Sequence, residues 1–239
     1  MTSGKPTVVL VHGAFADSSS WNGVVERLQS HDYKVVSASN PLRGLTSDAA
    51  YVRELVAGID GPVVLAGHSY GGSVMSVAAK GLDNVRALVF AAAFLPEVGE
   101  SAVTLSGEFP GSTLADVLRP VPVTLLDGSR AADLYIEQSA FHQQFAADVP
   151  AETTAVMAAI QRPVTDAALG EGASAAAWKD IASWVLVATE DRNIPAQTQI
   201  FMAERAKATV MSLTSSHAVS VSRPGDVARL INEAAQATA

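Results

Sequence analysis

The chain has 239 residues, 49% of them hydrophobic and 17% charged, which is enough apolar material for a large buried core and too little charge for disorder. Its formal net charge is −8, without the basic patch that neutralises phosphates, so no nucleic-acid partner is expected. The absence of cysteine excludes disulfides, thiolate chemistry and cysteine-held metals; with no signal-peptide pattern and no window near the ~20 apolar residues of a membrane span, a cytoplasmic protein without a membrane partner is expected.

The β-branched run TVVLVH at 7–12, bounded by Pro6 and Gly13, reads as a buried strand. SSWNGVVERLQSHD follows, with Trp21, Val24, Val25 and Leu28 at helical spacing. YKVVSAS at 33–39 is a second strand. TSDAAYVRELVAGI is a helix for which Thr46 or Ser47 is the expected N-cap. PVVLAGH is a third strand, YGGSVMSVAAKG a helix ending near Gly81, and VRALVFAAA a fourth strand.

Beyond Pro96 the alternation stops. Residues 96–178 hold Gly, Pro, Ser and Ala clusters with helix-like patches such as DLYIEQSAFHQQF, and they are too many for a plain connection. They are expected to form a helical cap inserted into a core made of residues 1–95 and 179–239. The alternation resumes with a fifth strand, SWVLVAT at 183–189, and the helix PAQTQIFMAERAK, with Pro195 near its start. TVMSLT is a sixth strand and RPGDVARLINEAAQ the closing helix. Apolar strands alternating with helices imply an α/β fold: a mostly parallel six-stranded sheet covered on both faces.

One junction carries chemistry. GHSYG at 67–71 runs from the third strand straight into a helix. Gly67 and Gly71 lack a Cβ, so strand and helix can approach, and Ser69 is left exposed at the tip of a strained turn. This strand–turn–helix context makes G-x-S-x-G a nucleophile elbow. A serine needs a base. Of the five histidines, His12 and His68 lie near Ser69 but are badly placed to aim a ring at it, and loop support by hydrogen bonding is expected of both. His31 sits in a helix–strand connection. His142 lies in the cap, either at the pocket or on the surface. His217 follows the sixth strand. All strands of a parallel sheet end on one rim, so its loop can reach Ser69, and His217 is the expected base.

The acid that orients it is expected on the loop after the fifth strand. Asp191 is favoured there, in VLVATEDRNIP, because Pro195 four residues on suits a carboxylate on a short turn before a helix. Glu190 is its competitor and Glu97 a distant third. The backbone N–H of Tyr70 is one expected oxyanion donor, and that of Ala14 or Phe15, after Gly13, the other. Phe15, Phe141, His142 and Trp178 are candidate substrate-pocket residues. Arg43, in NPLRG on the same rim, is read as a turn residue paired with a carboxylate. No phosphate-binding or dinucleotide loop and no H-E-x-x-H set occurs, so neither cofactor nor metal is expected.

From VVLVHGAF through GHSYGG and ATEDRNIP to SSHAVSVSRP, the chain resembles the α/β-hydrolase superfamily, and within it the small capped esterases grouped with salicylate methyl-ester esterases and hydroxynitrile lyases. The resemblance implies that the acid falls on Asp191, since the group carries it in a T-E-D-x-x-I-P run like 189–195, and that the first oxyanion donor is Ala14. It also implies six parallel strands rather than eight, because the chain begins almost at the fold's third strand. The lyases carry a threonine after the first-strand histidine and a lysine after the base, where this chain has Gly13 and Ala218. The function expected is therefore a serine hydrolase that cleaves small carboxylic esters through an acyl-enzyme. The alternatives are a lyase-like or cofactor-free oxygenation enzyme on the same fold, or a small-molecule sensor.

Overall fold

The computed structural model describes residues 4–125 and 128–238. The first part of the chain lays down β1 (Thr7–Val11), α1 (Asn22–Ser30), β2 (Val35–Ala38), α2 (Leu45–Ala57), β3 (Val63–Ser69), α3 (Tyr70–Ala78) and β4 (Val85–Ala93). The middle part forms α4 (Ala102–Ser106), β5 (Leu118–Thr124), β6 (Arg130–Ile136), α5 (Gln138–Phe145), α6 (Ala151–Ile160), β7 (Val164–Thr165) and α7 (Asp166–Gly170). The last part adds β8 (Ser183–Ala188), α8 (Ala196–Arg205), β9 (Thr209–Leu213), α9 (Val219–Ser222) and α10 (Pro224–Ala237).

Six strands pair in the order β2-β1-β3-β4-β8-β9, all parallel. The continuous apolar runs are explained by burial of both faces. Within β1, Val9 and Val11 face the layer of α2, α3 and α8, while Val8 and Leu10 face that of α1 and α10. Helix α10 supplies Val227, Leu230, Ile231 and Ala234, a stripe at helical spacing. The chain passes from β1 outward to β2 and returns across to β3, so the order reverses between β1 and β3. Such a reversal leaves a crevice at the carboxyl ends of the strands, and the loops after Val11 and Ser69 border it. Among the described residues no helix is long and apolar enough to cross a membrane.

The segment between β4 and β8 corrects the expectation of a purely helical cap. It contains a three-stranded antiparallel sheet, β5-β6-β7, and Asp133–Ile136 of the patch read as helix is part of β6. Pro120 and Pro122 are tolerated because β5 is an edge strand, whose outer N–H groups need no ladder partner. The Gln161 side chain takes both bonds of one ladder position, accepting from Ile136 N–H and donating to Ile136 C=O at 2.9 Å each. The N-cap of the helix at 45–57 is Gly44 rather than Thr46 or Ser47; both of these lie inside the helix, where Ser47 Oγ donates back to the Gly44 carbonyl at 3.0 Å.

The insertion packs on the α2/α3/α8 layer and shares its core through Phe141, Phe145, Leu169 and Trp178. Polar clamps fix it. Arg43 Nη1 pairs with Asp133 at 2.6 Å and Nη2 donates to Pro163 O at 2.8 Å. Arg205 grips Glu100 with both nitrogens, at 2.7 and 2.8 Å, and lies over the Trp178 ring.

Candidate active site

Ser69 closes β3 and opens α3 with φ 54° and ψ −127°, a region that costs a non-glycine residue strain. The glycines explain why the turn closes. A Cβ on Gly67 would stand 2.7 Å from Gly71 O, and one on Gly71 would meet the Val11 and His12 carbonyls. The elbow thus lies against the end of β1, and Ser69 is nearly buried.

His217 sits between β9 and α9, on a loop pinned to the insertion by its neighbours. Ala218 N–H donates to Phe145 O at 3.0 Å, and Ser216 Oγ bonds Asp148. The His217 Nε2 lies 2.9 Å from Ser69 Oγ and its Nδ1 2.7 Å from Asp191 Oδ2. Phe145 meets the imidazole edge-on, with centroids 5.0 Å apart, and Phe141 stacks behind Phe145. The ring is therefore held in plane by packing and at both nitrogens by polar partners.

Asp191 is buried with its charge matched by N–H groups. Oδ1 accepts from Asn193 N–H at 2.7 Å and Ile194 N–H at 3.0 Å; Oδ2 accepts from Gln199 Nε2 at 2.9 Å as well as from His217. Gln199 is fully buried on α8, and its Oε1 accepts from Ala188 N–H at the end of β8. Sequence reasoning missed Gln199. The available signal was an amide on the apolar stripe of a helix, three and four residues before Met202 and Ala203. Glu190 is exposed, and Glu97 pairs with Lys179 at 2.6 Å, so neither meets His217.

His68 lies behind His217, ring centroids 4.7 Å apart, and its Nε2–H donates to the His217 carbonyl at 2.8 Å. Burial, reinforced by the neighbouring His217, holds His68 down to about 3, so it is neutral at any working pH. His12, held low by burial, bonds the Gly13 carbonyl through Nδ1 at 3.0 Å. The buried neutral His68 carries a stability consequence. An unfolded histidine takes a proton near pH 6.5 and the folded His68 does not. Its contribution is therefore present above pH 6.5 and is lost as pH falls toward about 3. A His68→Gln variant is expected to lose about 2 kcal/mol less stability than the parent between pH 7 and 5. Urea unfolding at the two pH values reads this, and parallel losses in both proteins would contradict it.

Phe15 N–H is already taken by Arg162 O at 3.1 Å. Ala14 N–H, on the same loop, has no such partner among the described residues, and Tyr70 N–H lies in the first turn of α3, where helix N–H groups lack an intrahelical acceptor. The Tyr70 hydroxyl donates to buried Asp48 at 2.9 Å, whose carboxyl is pushed up by burial. Ala14, Ser69 and Tyr70 all line one cavity of about 330 Å³. Its walls are mainly Phe15, Phe94, Leu114, Leu118, Leu169 and Ile194, and among the described residues no charged side chain lines it. Of the expected pocket residues, only Phe15 is there. Phe141 lies in the core behind Phe145, and Trp178 is covered by Lys179 and Arg205 and donates to Pro96 O. His142 is half-buried on α5 and does not line the cavity.

A sequence profile described as the alpha/beta hydrolase family matches residues 8–230. The chain is 28% identical, over 97% of both chains, to alpha/beta hydrolase nvfD of Aspergillus novofumigatus (strain IBT 16806). Its fold is similar to a pyrethroid hydrolase from Sphingobium faniae JZ-2, with TM-score 0.77 and 23% identity over 97% of this chain and 98% of that one. It is also similar to polyneuridine aldehyde esterase, with TM-score 0.82 and 19% identity over 96% and 99%. For the Arabidopsis methylesterase MES16 the TM-score is 0.79 and the identity 16%, over 97% and 99%.

Proposed function

Because the chain belongs to the alpha/beta hydrolase family, we propose that it is a serine esterase that cleaves small, uncharged carboxylic esters through an acyl-enzyme. The observation that carries this reading is the unbroken line Ser69 Oγ–His217 Nε2–His217 Nδ1–Asp191 Oδ2, at 2.9 and 2.7 Å, opening on an apolar cavity.

The ester carbonyl carbon is attacked by Ser69 Oγ while His217 Nε2 takes the hydroxyl proton. The carbonyl oxygen becomes an oxyanion between the N–H groups of Ala14 and Tyr70, which are fixed before it forms and face it from a poorly hydrated wall. Collapse expels the alcohol, which leaves with the proton from His217. Water then repeats the sequence: His217 removes its proton, the hydroxide adds to the acyl carbon, and Ser69 Oγ departs with that proton. Asp191 stays ionised, stabilising the imidazolium and keeping the Nδ1 proton in place. Pyrethroid hydrolase, esterase and methylesterase neighbours accord with ester chemistry. The lyase alternative is disfavoured at Gly13, where a Cβ would stand 2.6 Å from Ser69 Cβ and leave no room for a threonine, and at the buried Ala218.

A panel of methyl and p-nitrophenyl esters of varied acyl size, with a fluorophosphonate probe, tests the proposal. Ester turnover with a covalent phosphonate on Ser69 supports it; no ester cleaved and no label sinks it. Gln199 adds a second expected result. Gln199→Leu removes a donor from Asp191 Oδ2 and frees the carboxylate to swing. The expected loss is about 10-fold in kcat, with the titrated fraction of active serines unchanged. A loss confined to that fraction would instead mark a folding defect.

A further inference from the structure

Helix α5 belongs to the insertion, yet its last two residues hold the two loops that carry Asp191 and His217. Gln144, buried, faces the acid turn. Its Nε2 donates to the Arg192 carbonyl at 2.9 Å and to Asn193 Oδ1 at 2.8 Å, and its Oε1 accepts from Thr113 Oγ1 at 2.8 Å. A carbonyl can only accept, so the end of the amide toward Arg192 is its NH2. Asn193 in turn donates its backbone N–H to Asp191 Oδ1 at 2.7 Å. Phe145, the next residue, faces the base loop. As the last residue of α5 it has a carbonyl with no donor inside the helix, and that carbonyl accepts from Ala218 N–H at 3.0 Å while the ring packs on the His217 imidazole. Three residues on, Asp148 accepts from Ser216 Oγ.

The acid and base loops follow the neighbouring strands β8 and β9, and Glu190 N–H donates to the Ser215 carbonyl at 3.1 Å, which ties their roots. Further out, at Arg192–Asn193 and at Ser216–Ala218, α5 holds both. Adjacent residues of a helix keep a fixed separation, so a turn held at Gln144 and a loop held at Phe145 keep one too. We propose that the segment from Gln144 to Asp148 is a bracket that sets Asp191 and His217 against each other, and that Gln144 and Asp148 are positioning residues of the reaction. The inference rests on the esterase reading and assigns a further part of its machinery. Neither residue lines the Ser69 cavity, so each acts through the triad and not on the substrate. The insertion is thereby part of the catalytic scaffold: swinging it away from the core would break the bonds from Gln144, Phe145 and Asp148 and let the two loops part.

Gln144→Leu keeps most of the bulk and removes the amide bonds to Thr113, Arg192 and Asn193. Its kcat on a p-nitrophenyl ester is expected to fall roughly 10-fold, with KM within about 2-fold of the parent. Asp148→Ala is expected to lose roughly 5-fold in kcat, and Asp148→Asn, whose side-chain oxygen still accepts from Ser216, to return to within about 2-fold. Gln143→Leu, at the exposed neighbour on the same helix, is the control and should match the parent. A second readout separates positioning from general loosening. Nitrogen-15 NMR of histidine-labelled protein, with His217 assigned by its loss in His217→Gln, reads the imidazole tautomer. The parent should hold its proton on Nδ1, facing Asp191, and Gln144→Leu and Asp148→Ala should show a mixture. If Gln144→Leu is poorly folded by thermal melting, the exposed Asp148 carries the test. Unchanged kcat in Gln144→Leu and Asp148→Ala, a loss confined to the titrated fraction of active serines, or an unmixed tautomer in both overturns the bracket. The tautomer is read without substrate. A parent that cleaves no ester overturns the esterase reading, and the tautomer alone then decides the bracket; a parent that cleaves esters beside variants that match it overturns the bracket alone.

Discussion

Ser69→Ala is expected to lower ester turnover by about 10⁴- to 10⁶-fold while leaving the fold intact. The substitution removes one atom, the oxygen 2.9 Å from His217 Nε2. Alanine keeps the Cβ, so the φ of 54° costs the variant what it costs the parent. The one bond lost strands a ring nitrogen beside a cavity that admits solvent or substrate, and stability should shift by no more than about 1 kcal/mol. The proposed oxyanion donors are backbone N–H groups of Ala14 and Tyr70, which the substitution leaves in place. A residual rate above the uncatalysed reaction is therefore expected, and its size reports what those donors contribute. Burst kinetics with a p-nitrophenyl ester, intact-protein mass after fluorophosphonate treatment and a melting curve make the measurement. Turnover above about 1% of the parent, or a phosphonate adduct on the variant, would mean that Ser69 is not the nucleophile.

The strands were legible for a physical reason. A parallel strand buried on both faces must be apolar and must stop at a turn, so the four interior strands β1, β3, β4 and β8 announce themselves as apolar runs bounded by Gly, Pro or polar residues, while the edge strands β2 and β9, partly exposed, admit Ser and Thr and were read from their β-branched residues and their place in the alternation. The relation of Ser69, Asp191 and His217 was legible because parallel strands share one rim, which turns three distant loops into neighbours. The insertion was not. Its sheet includes an edge strand with two prolines, a composition that argues against a strand unless the edge is known, and in DLYIEQSAFHQQF a strand passes into a helix within two residues. Aromatic identity predicted burial for Phe141 and Trp178, but not the side of the wall on which they are buried. Phe15 N–H is taken by the carbonyl of Arg162, brought from the insertion, which no local pattern encodes.

Asp191→Asn is expected to cost about 10³- to 10⁴-fold in kcat near neutral pH, through the proton it misplaces. In the parent, Oδ1 faces the N–H groups of Asn193 and Ile194, and Oδ2 faces His217 Nδ1 and Gln199 Nε2. An asparagine must keep its oxygen toward the two backbone donors, since the opposite orientation sets an NH2 against both. Its NH2 then meets Gln199, whose own amide cannot turn because Oε1 is held by Ala188 N–H. It also meets His217 Nδ1, which can accept only by giving up its proton. The ring is driven into the tautomer with the proton on Nε2, pointing at Ser69 Oγ, where it can donate but not accept. The cavity and the proposed oxyanion donors are untouched, so KM should change little while kcat falls. Glu190→Gln, an exposed neighbour in sequence, is the control and should stay within about 2-fold of the parent. Steady-state kinetics on both variants, with melting curves to confirm folding, decide the matter. An Asp191→Asn enzyme within 10-fold of the parent would show that the imidazole does not depend on this carboxylate for its working tautomer.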